Sequence, residues 1–240
     1  MLILAVDTTT RAGSLAVLRD GAILAEMTGD AAASHAERLP LDFAKACASG
    51  GVGLEEIDAF AVAAGPGSFT GLRVGIASVQ GLAFAAGKKV IPVSALEAIA
   101  MASAAGKGRR LGAWMDAQRQ QVFAQLFLPN NVDDAVAQPF RAAGEAVAAT
   151  PADVLALWGP ASTLMTMSFH GEGAVRYADT IRNVLGSSAD IASEVPPLAG
   201  AVARIAAANP HRAVLPHAVI PIYVRRPDVE LARERRSGEA

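Results

Sequence analysis

Gly65-Pro66-Gly67-Ser68-Phe69-Thr70-Gly71 (GPGSFTG) joins the apolar run Ala59–Ala64 to a second apolar run, LRVGIASVQGLAF, that ends at Phe84. Three glycines between a strand and a helix are the usual setting of a phosphate-binding turn, and each form of that turn demands particular residues beside the glycines. A Walker loop needs Lys and Ser/Thr after its last glycine, where this chain has Leu72 and Arg73. The dinucleotide pattern GxGxxG fails because Gly71 falls one position too far from Gly67. A nucleophile elbow fails because Pro66 stands where GxSxG requires glycine.

A packing role fits the spacing better. Gly71 and Gly75 lie four apart on one face of a helix predicted from about Thr70 to Ala86, with Ser78 and Leu82 continuing that face. Small residues so spaced let another backbone approach closely. Leu72, Ile76, Val79 and Ala83 make the other side apolar too, and a helix apolar nearly all round must be covered nearly all round. A sheet covers one face. The opposite face is covered either by a neighbouring helix or by a second subunit, and the residues alone favour neither.

Upstream, Leu2–Asp7, Ser14–Arg19 and Ala22–Thr28 read as three strands in a meander, with Asp20-Gly21 as a hairpin turn. Ser34-His35-Ala36-Glu37 is a capping box that opens a helix to about Ser49, with Leu39, Phe43 and Cys47 on one stripe and Pro40 just past the first turn. Ala59–Ala64 and Val90–Val93 are buried strands, and Ser94-Ala95-Leu96-Glu97 is a second capping box. The order β-β-β-α-β-α-β-α predicts a ribonuclease-H-like α/β half, an antiparallel meander extended by parallel strands.

After a polar linker, Gly106–Arg110, the pattern begins again. Leu111–Asp116 echoes Leu2–Asp7, and Val122–Leu128 stands where Ser14–Arg19 stood. This weak internal repeat divides the chain into 1–105, 109–224 and a tail, 225–240. The second part carries an apolar helix over Leu198–Ala208 and a strand-like Val219–Val224. The tail, RRPDVELARERRSGEA, has mixed charge and few apolar residues, and is expected to be disordered or a loose surface helix.

Composition sets the outer limits. The 240 residues are 52% hydrophobic, enough for a sizeable core, and the net charge of −2 gives no general attraction to polyanions. The apolar runs are interrupted before a membrane span is complete, and the N-terminus reads as a strand rather than a signal peptide, so a cytoplasmic location is expected. Cys47 has no partner for an internal disulfide and is expected to be a buried apolar residue. His35, His170, His211 and His217 show no metal-binding spacing. Asp7, and Asp116 in the echo, end apolar strands, where a carboxylate can hold nucleotide-bound Mg²⁺ through water. Neither is followed by a glycine that would admit phosphates, so a carboxylate capping a turn is the better reading of both.

ILAVDTTT at the start, SHAERL at 34–39, AVAAGPGSFTGLRVGIASVQGLA at 61–83 and IPVSALEAIA at 91–100 resemble the bacterial tRNA threonylcarbamoyladenosine biosynthesis family TsaB, also called YeaZ. MDAQRQQVF at 115–123 and PIYVRRP at 221–227 resemble later landmarks of the same family. The resemblance implies two actin-like (ASKHA) subdomains and a degenerate relative of TsaD, the subunit that transfers threonylcarbamoyl to adenosine 37 of ANN-decoding tRNAs. TsaD holds a metal through two histidines, whose positions here are Ala95 and Ile99. The second half also lacks the paired glycines of actin-like ATPases.

A non-catalytic subunit is therefore implied, with no cofactor of its own, ATP and Mg²⁺ being handled by its partners. It is expected to pair with itself or with TsaD, to join TsaE, and to meet tRNA only through the complex. Pairing is expected through the two N-terminal helices, by Leu39 and Phe43 on the first and Leu72, Arg73, Ile76 and Gln80 on the second. An ASKHA-fold small-molecule kinase and a glycoprotease-like hydrolase are the rival readings.

Overall fold

The computed structural model describes residues 1–103, 109–130 and 139–225; most of the expected linker and the tail beyond Arg225 lie outside the described residues. Strand β1 (Leu2–Asp7) is buried on both faces, and its alternation sets the layering. Ile3 and Ala5 face one core, while Leu2, Leu4 and Val6 face another. β2 (Ser14–Arg19) and β3 (Ala22–Thr28) follow as the antiparallel meander. Helix α1 (His35–Ser49) starts at the expected capping box: the Glu37 amide donates to Ser34 Oγ at 3.4 Å, and the Ser34 amide to Glu37 Oε2 at 3.0 Å. β4 (Ala59–Gly65), α2 (Phe69–Ala86), β5 (Lys89–Ser94) and α3 (Ala95–Ala102) complete the first half. The strand order β3-β2-β1-β4-β5, with β1, β4 and β5 parallel, is the predicted ribonuclease-H-like arrangement.

At α3 the second capping box is only half formed. Ser94 accepts from the Glu97 amide, but the Glu97 carboxylate pairs with Arg212 at 3.0 Å, an ionic partner reached through tertiary contact.

The second half repeats the scheme. β6 (Arg110–Asp116) pairs antiparallel with β7 (Val122–Pro129), as β1 does with β2. β8 (Phe140–Ala142) and β9 (Val147–Ala149) both pair with β7. Helices α4 (Pro151–Trp158) and α5 (Ala161–Leu164) lead to β10 (Met167–His170), parallel to β6 as β4 is to β1. Next come α6 (Glu172–Arg176), α7 (Ala178–Leu185), β11 (Asp190–Ile191) and α8 (Ala199–Ala208).

Three clusters of buried side chains separate the layers. One lies outside the first sheet under α1 and α2; one outside the second sheet, around Trp114, Phe169, Val154 and Ile181; and the largest between the sheets, with α3 and α8 inside it. α2 is the one described helix long and apolar enough to cross a membrane by length and composition. Leu72, Ile76, Val79 and Ala83 bury its inner face against the sheet, and Ser68 and Gly87 cap its ends.

Helix α8, grouped with the second half by position in the sequence, packs on β1 and β2 of the first. Its N-terminus has no cap of its own. The amides of Leu198 and Ala199 donate to Ser14 Oγ at 3.1 and 3.0 Å, and that of Gly200 to Glu26 Oε1 at 2.8 Å. A hydroxyl 185 residues away thus does the work of a local cap. Val219–Val224 is not a strand: Pro221 has no N–H to give, and the segment meets the sheet through the Ile222 amide on Ala64 O at 2.7 Å. Ser14→Ala strands two buried amides. It is expected to cost about 1–3 kcal/mol in urea unfolding, while a serine restored at that site recovers the parent midpoint.

Candidate functional site

The carboxyl ends of β1 and β6 open onto one cleft of about 1130 Å³ between the two halves. Its walls carry Thr10, Ser34, His35, Ser68 and Thr70 from the first half, Asp116, Glu172 and Arg176 from the second, and Tyr223 and Arg225 from the chain's end.

Asp7 is only 1% exposed, and its carboxylate caps the turn after β1. Its Oδ1 accepts from the Thr9 amide at 2.9 Å and from Thr9 Oγ1 at 2.5 Å, and its Oδ2 from Thr10 Oγ1 at 3.4 Å. Burial still raises its pKa, against the lowering effect of these hydrogen bonds. Glu172 is raised too, first by burial and then by the charges of Asp116 and Asp7. Those two strand-end carboxylates therefore lie close enough to Glu172 to repel it. Asp116 is held differently, accepting from Arg176 at 3.0 Å and from the Gln118 side chain at 2.9 Å.

A carboxyl whose folded pKa lies above its unfolded value favours folding at low pH and loses that contribution as pH rises through the folded pKa. Asp7→Asn keeps the Oδ1 acceptor for Thr9, gives up the long Thr10 contact on Oδ2 and removes the charge. The variant is expected to melt above the parent at pH 7, with the gap closing as pH falls toward 4; an unchanged gap would contradict a buried, raised Asp7.

The glycines of the opening motif admit the end of β1. A Cβ on Gly71 would stand 2.1 Å from Thr8 O, one on Gly75 2.1 Å from Thr8 Oγ1, and one on Gly67 2.5 Å from Thr9 Cβ. Thr8 Oγ1 donates to Gly71 O at 2.8 Å, and the Ser68 amide donates to Thr9 O at 3.0 Å. The close neighbour of the small-residue face is thus the chain's own β1 end. Gly75→Ala is expected to lose about 1–3 kcal/mol by overpacking, and Thr8→Ala in the same chain to recover part of it. Gly71→Ala, which meets backbone, should gain nothing from Thr8→Ala.

His35 and Arg38 fasten the wall opposite. His35 Nε2 lies 3.0 Å from Thr10 O, so that nitrogen carries the proton, and Nδ1 accepts from Arg38 Nη2 at 2.7 Å. Burial and the Arg38 charge keep the ring neutral by lowering its pKa. Arg38 also donates to Ala12 O and pairs with Asp42 at 2.5 Å. SHAERL is therefore a structural clamp on the β1–β2 turn, which its capping-box reading did not reveal.

The residues expected to form a docking face divide. Leu39, Phe43, Leu72 and Ile76 are 0–4% exposed in the single chain, so they belong to its own core, because α1 and α2 turn those stripes onto the sheet. Arg73 is exposed, its guanidinium 3.9 Å from the Phe69 ring centre, and Gln80 is half-buried and donates to Pro216 O at 2.9 Å. The most exposed apolar side chains in this region are Phe84 (80% exposed), Ile220 (74%), Leu41 (59%) and Leu215 (55%). A helical period identifies a stripe without saying which stripe a sheet will take. Ala95 and Ile99, the positions of the relative's metal histidines, lie in the core between the sheets. Alkyl side chains offer a metal no donor, so these positions do not fit that group.

The profile of the family described as TsaD, tRNA N6-adenosine threonylcarbamoyltransferase, matches residues 27–228. A TsaB of Haemophilus influenzae is 43% identical over 103 residues, a match spanning 43% of each chain and so less than half of that relative's length. An uncharacterized protein of Mycobacterium bovis is 31% identical over 233 residues, 95% of this chain and 93% of that one. Among solved structures, a Pseudomonas aeruginosa protein described as similar to peptidase YeaZ superposes with a TM-score of 0.77 at 28% identity, over 93% of this chain and 99% of the other. With two ribonuclease-H-like halves and these relatives, the chain belongs to the TsaB/YeaZ group of the TsaD family.

Proposed function

We propose that this chain is a cytoplasmic, non-catalytic subunit in the formation of threonylcarbamoyladenosine on tRNA, docking a TsaD-type partner through the solvent side of α1 and α2. The names of the relatives support the pathway. The observation that carries the docking role is Phe84, a large apolar side chain 80% exposed on the face of α2 turned away from the sheet. Around it, the segment 215–223 runs beside α2, fixed by Gln80 to Pro216 O and Val219 O and by Arg73 to Tyr223, so Leu215 and Ile220 flank the same helix. In isolation the same surface pairs two copies. TsaE and the ATP and Mg²⁺ of the reaction belong to the partners, and tRNA is met through the assembly.

The docking residues of this proposal are Phe84, Ile220 and Leu41, in place of the buried Leu39, Phe43, Leu72 and Ile76. A charge at Ile76 would test folding rather than docking. Burying one Phe side chain is worth about 1.5–3 kcal/mol, so Phe84→Asp should weaken dimerisation by about 10- to 150-fold in sedimentation equilibrium. The monomer should keep its stability within about 0.5 kcal/mol, as expected of an exposed site. Leu157→Asp, at an exposed leucine of the second half, serves as the control and should leave the dimer intact. The pathway is tested by reconstituting threonylcarbamoyladenosine formation from TsaD, TsaE and tRNA with and without this chain. Product at the full rate in its absence would overturn the subunit reading. The roomy cleft favours the kinase rival, and calorimetric titration of the isolated chain with Mg-ATP separates the two, since the subunit reading expects weak binding or none.

A further inference from the structure

Two sequence landmarks are not yet connected: the stretch after β6, Asp116–Phe123, and the segment Pro221–Arg225, whose first residues also run beside α2. They meet in space. Between β6 and β7 the backbone passes through Gln118, Arg119 and Gln120 with φ of +59°, +53° and +60°. Three successive side-chain-bearing residues in the left-handed region are a costly conformation that its surroundings must hold in place. Locally it is held by the Ala117 amide on Gln121 O and the Gln121 amide on Gln118 O, both at 3.0 Å, and by the Gln118 amide on Asp116 Oδ1 at 3.2 Å.

The chain end adds the rest. Arg225 Nη1 donates to Gln121 Oε1 at 2.9 Å and Nη2 to Ala117 O at 3.0 Å, with the guanidinium 5.8 Å from the Phe123 ring centre. A few residues back, the same segment is fixed to the first half. The Ile222 amide donates to Ala64 O at 2.7 Å, and Gly65 leaves room for Ile222 O, which a Cβ there would meet at 2.6 Å. The Tyr223 ring lies 5.9 Å from that of Phe69. Ile222 to Arg225 therefore line the cleft and bridge its two halves, anchored on the end of β4 at one side and on the β6–β7 turn at the other.

We propose that Ile222–Arg225 form a clasp that sets the opening of the cleft, with Arg225 as its catch. The planar guanidinium reaches two acceptors of the strained turn at once, which a lysine ammonium on a flexible stem does less well. Without it, the turn leaves the left-handed region and the two walls separate. The clasp is internal to one chain, and its test at Arg225 does not depend on the docking proposal.

Hydrogen exchange of the full chain tests this, read by peptides covering 117–121 and by peptides in β1 and β4. Arg225→Ala is expected to speed exchange at 117–121 about tenfold or more while β1 and β4 stay at the parent rate, and Arg225→Lys to fall between. Adding Gln120→Gly, which adopts positive φ without a Cβ clash, should return exchange in the Arg225→Ala chain toward the parent. Spin labels at Lys45→Cys and Asn183→Cys, one on each half, should show a broader, longer distance distribution in Arg225→Ala. The clasp is overturned by exchange at 117–121 within about twofold of the parent, by an equal rise in β1 and β4, by no recovery from Gln120→Gly, or by an unchanged label distribution.

Discussion

The structure depends on the contact between the end of β1 and the first turns of α2. Thr8 and Thr9 occupy the space that side chains at Gly67, Gly71 and Gly75 would otherwise fill. Thr8 Oγ1 on Gly71 O and the Ser68 amide on Thr9 O lock that approach at hydrogen-bond distance. Everything nearby follows from it. α2 lies flat on β4 and β1, its N-terminus opens at the cleft, and Asp7 turns into a buried cap rather than toward solvent. A larger residue at these positions would lift the helix away from the strand and carry the chain end, which is fastened to α2 through Gln80 and Arg73, along with it.

From this contact the layers build outward. The first sheet uses its outer face for α1 and α2 and its inner face for the core shared with the second sheet. α8 fills that shared core, and its N-terminal amides reach Ser14 and Glu26 on the meander. The two halves are thus joined by a common interior as well as by the cleft. A helix far along the chain completes the first sheet's inner layer, so the first hundred residues do not make a finished core by themselves.

Much of this was legible in the sequence. Capping chemistry is local, and Ser34 with Glu37 located α1 correctly because a serine and a glutamate three residues apart need only each other. The hairpin at Asp20-Gly21, the parallel strands and the echo of β1–β2 in β6–β7 follow from short-range patterns in the same way. What failed was long-range. Glu97 left its capping role for Arg212, and α8 joined the first sheet, because those choices depend on residues about a hundred or more positions away that no periodicity reports. The burial of Leu39, Phe43, Leu72 and Ile76, four of the six residues expected at a docking face, has a related cause. α2 is apolar on several sides, and only the placement of β1 against Gly71 and Gly75 decides that Leu72, Ile76 and Val79 go inward and Phe84 outward.

The same placement bears on Ala95 and Ile99, where the resemblance puts a relative's metal-binding histidines. Ala95 and Ile99 share the inner face of α3, pressed between the two sheets, and Ile99 Cδ1 comes within 3.0 Å of where a side chain on Gly171 would begin. Imidazoles at these two positions would need hydrogen-bonding partners or an ion in a space lined by Val93, Leu111, Ala113 and Met115. An open metal site and a closed apolar core are alternative uses of one helix face. In this chain α3 serves the core, and its contribution is to hold the two halves together from within while the clasp at 222–225 holds them across the cleft.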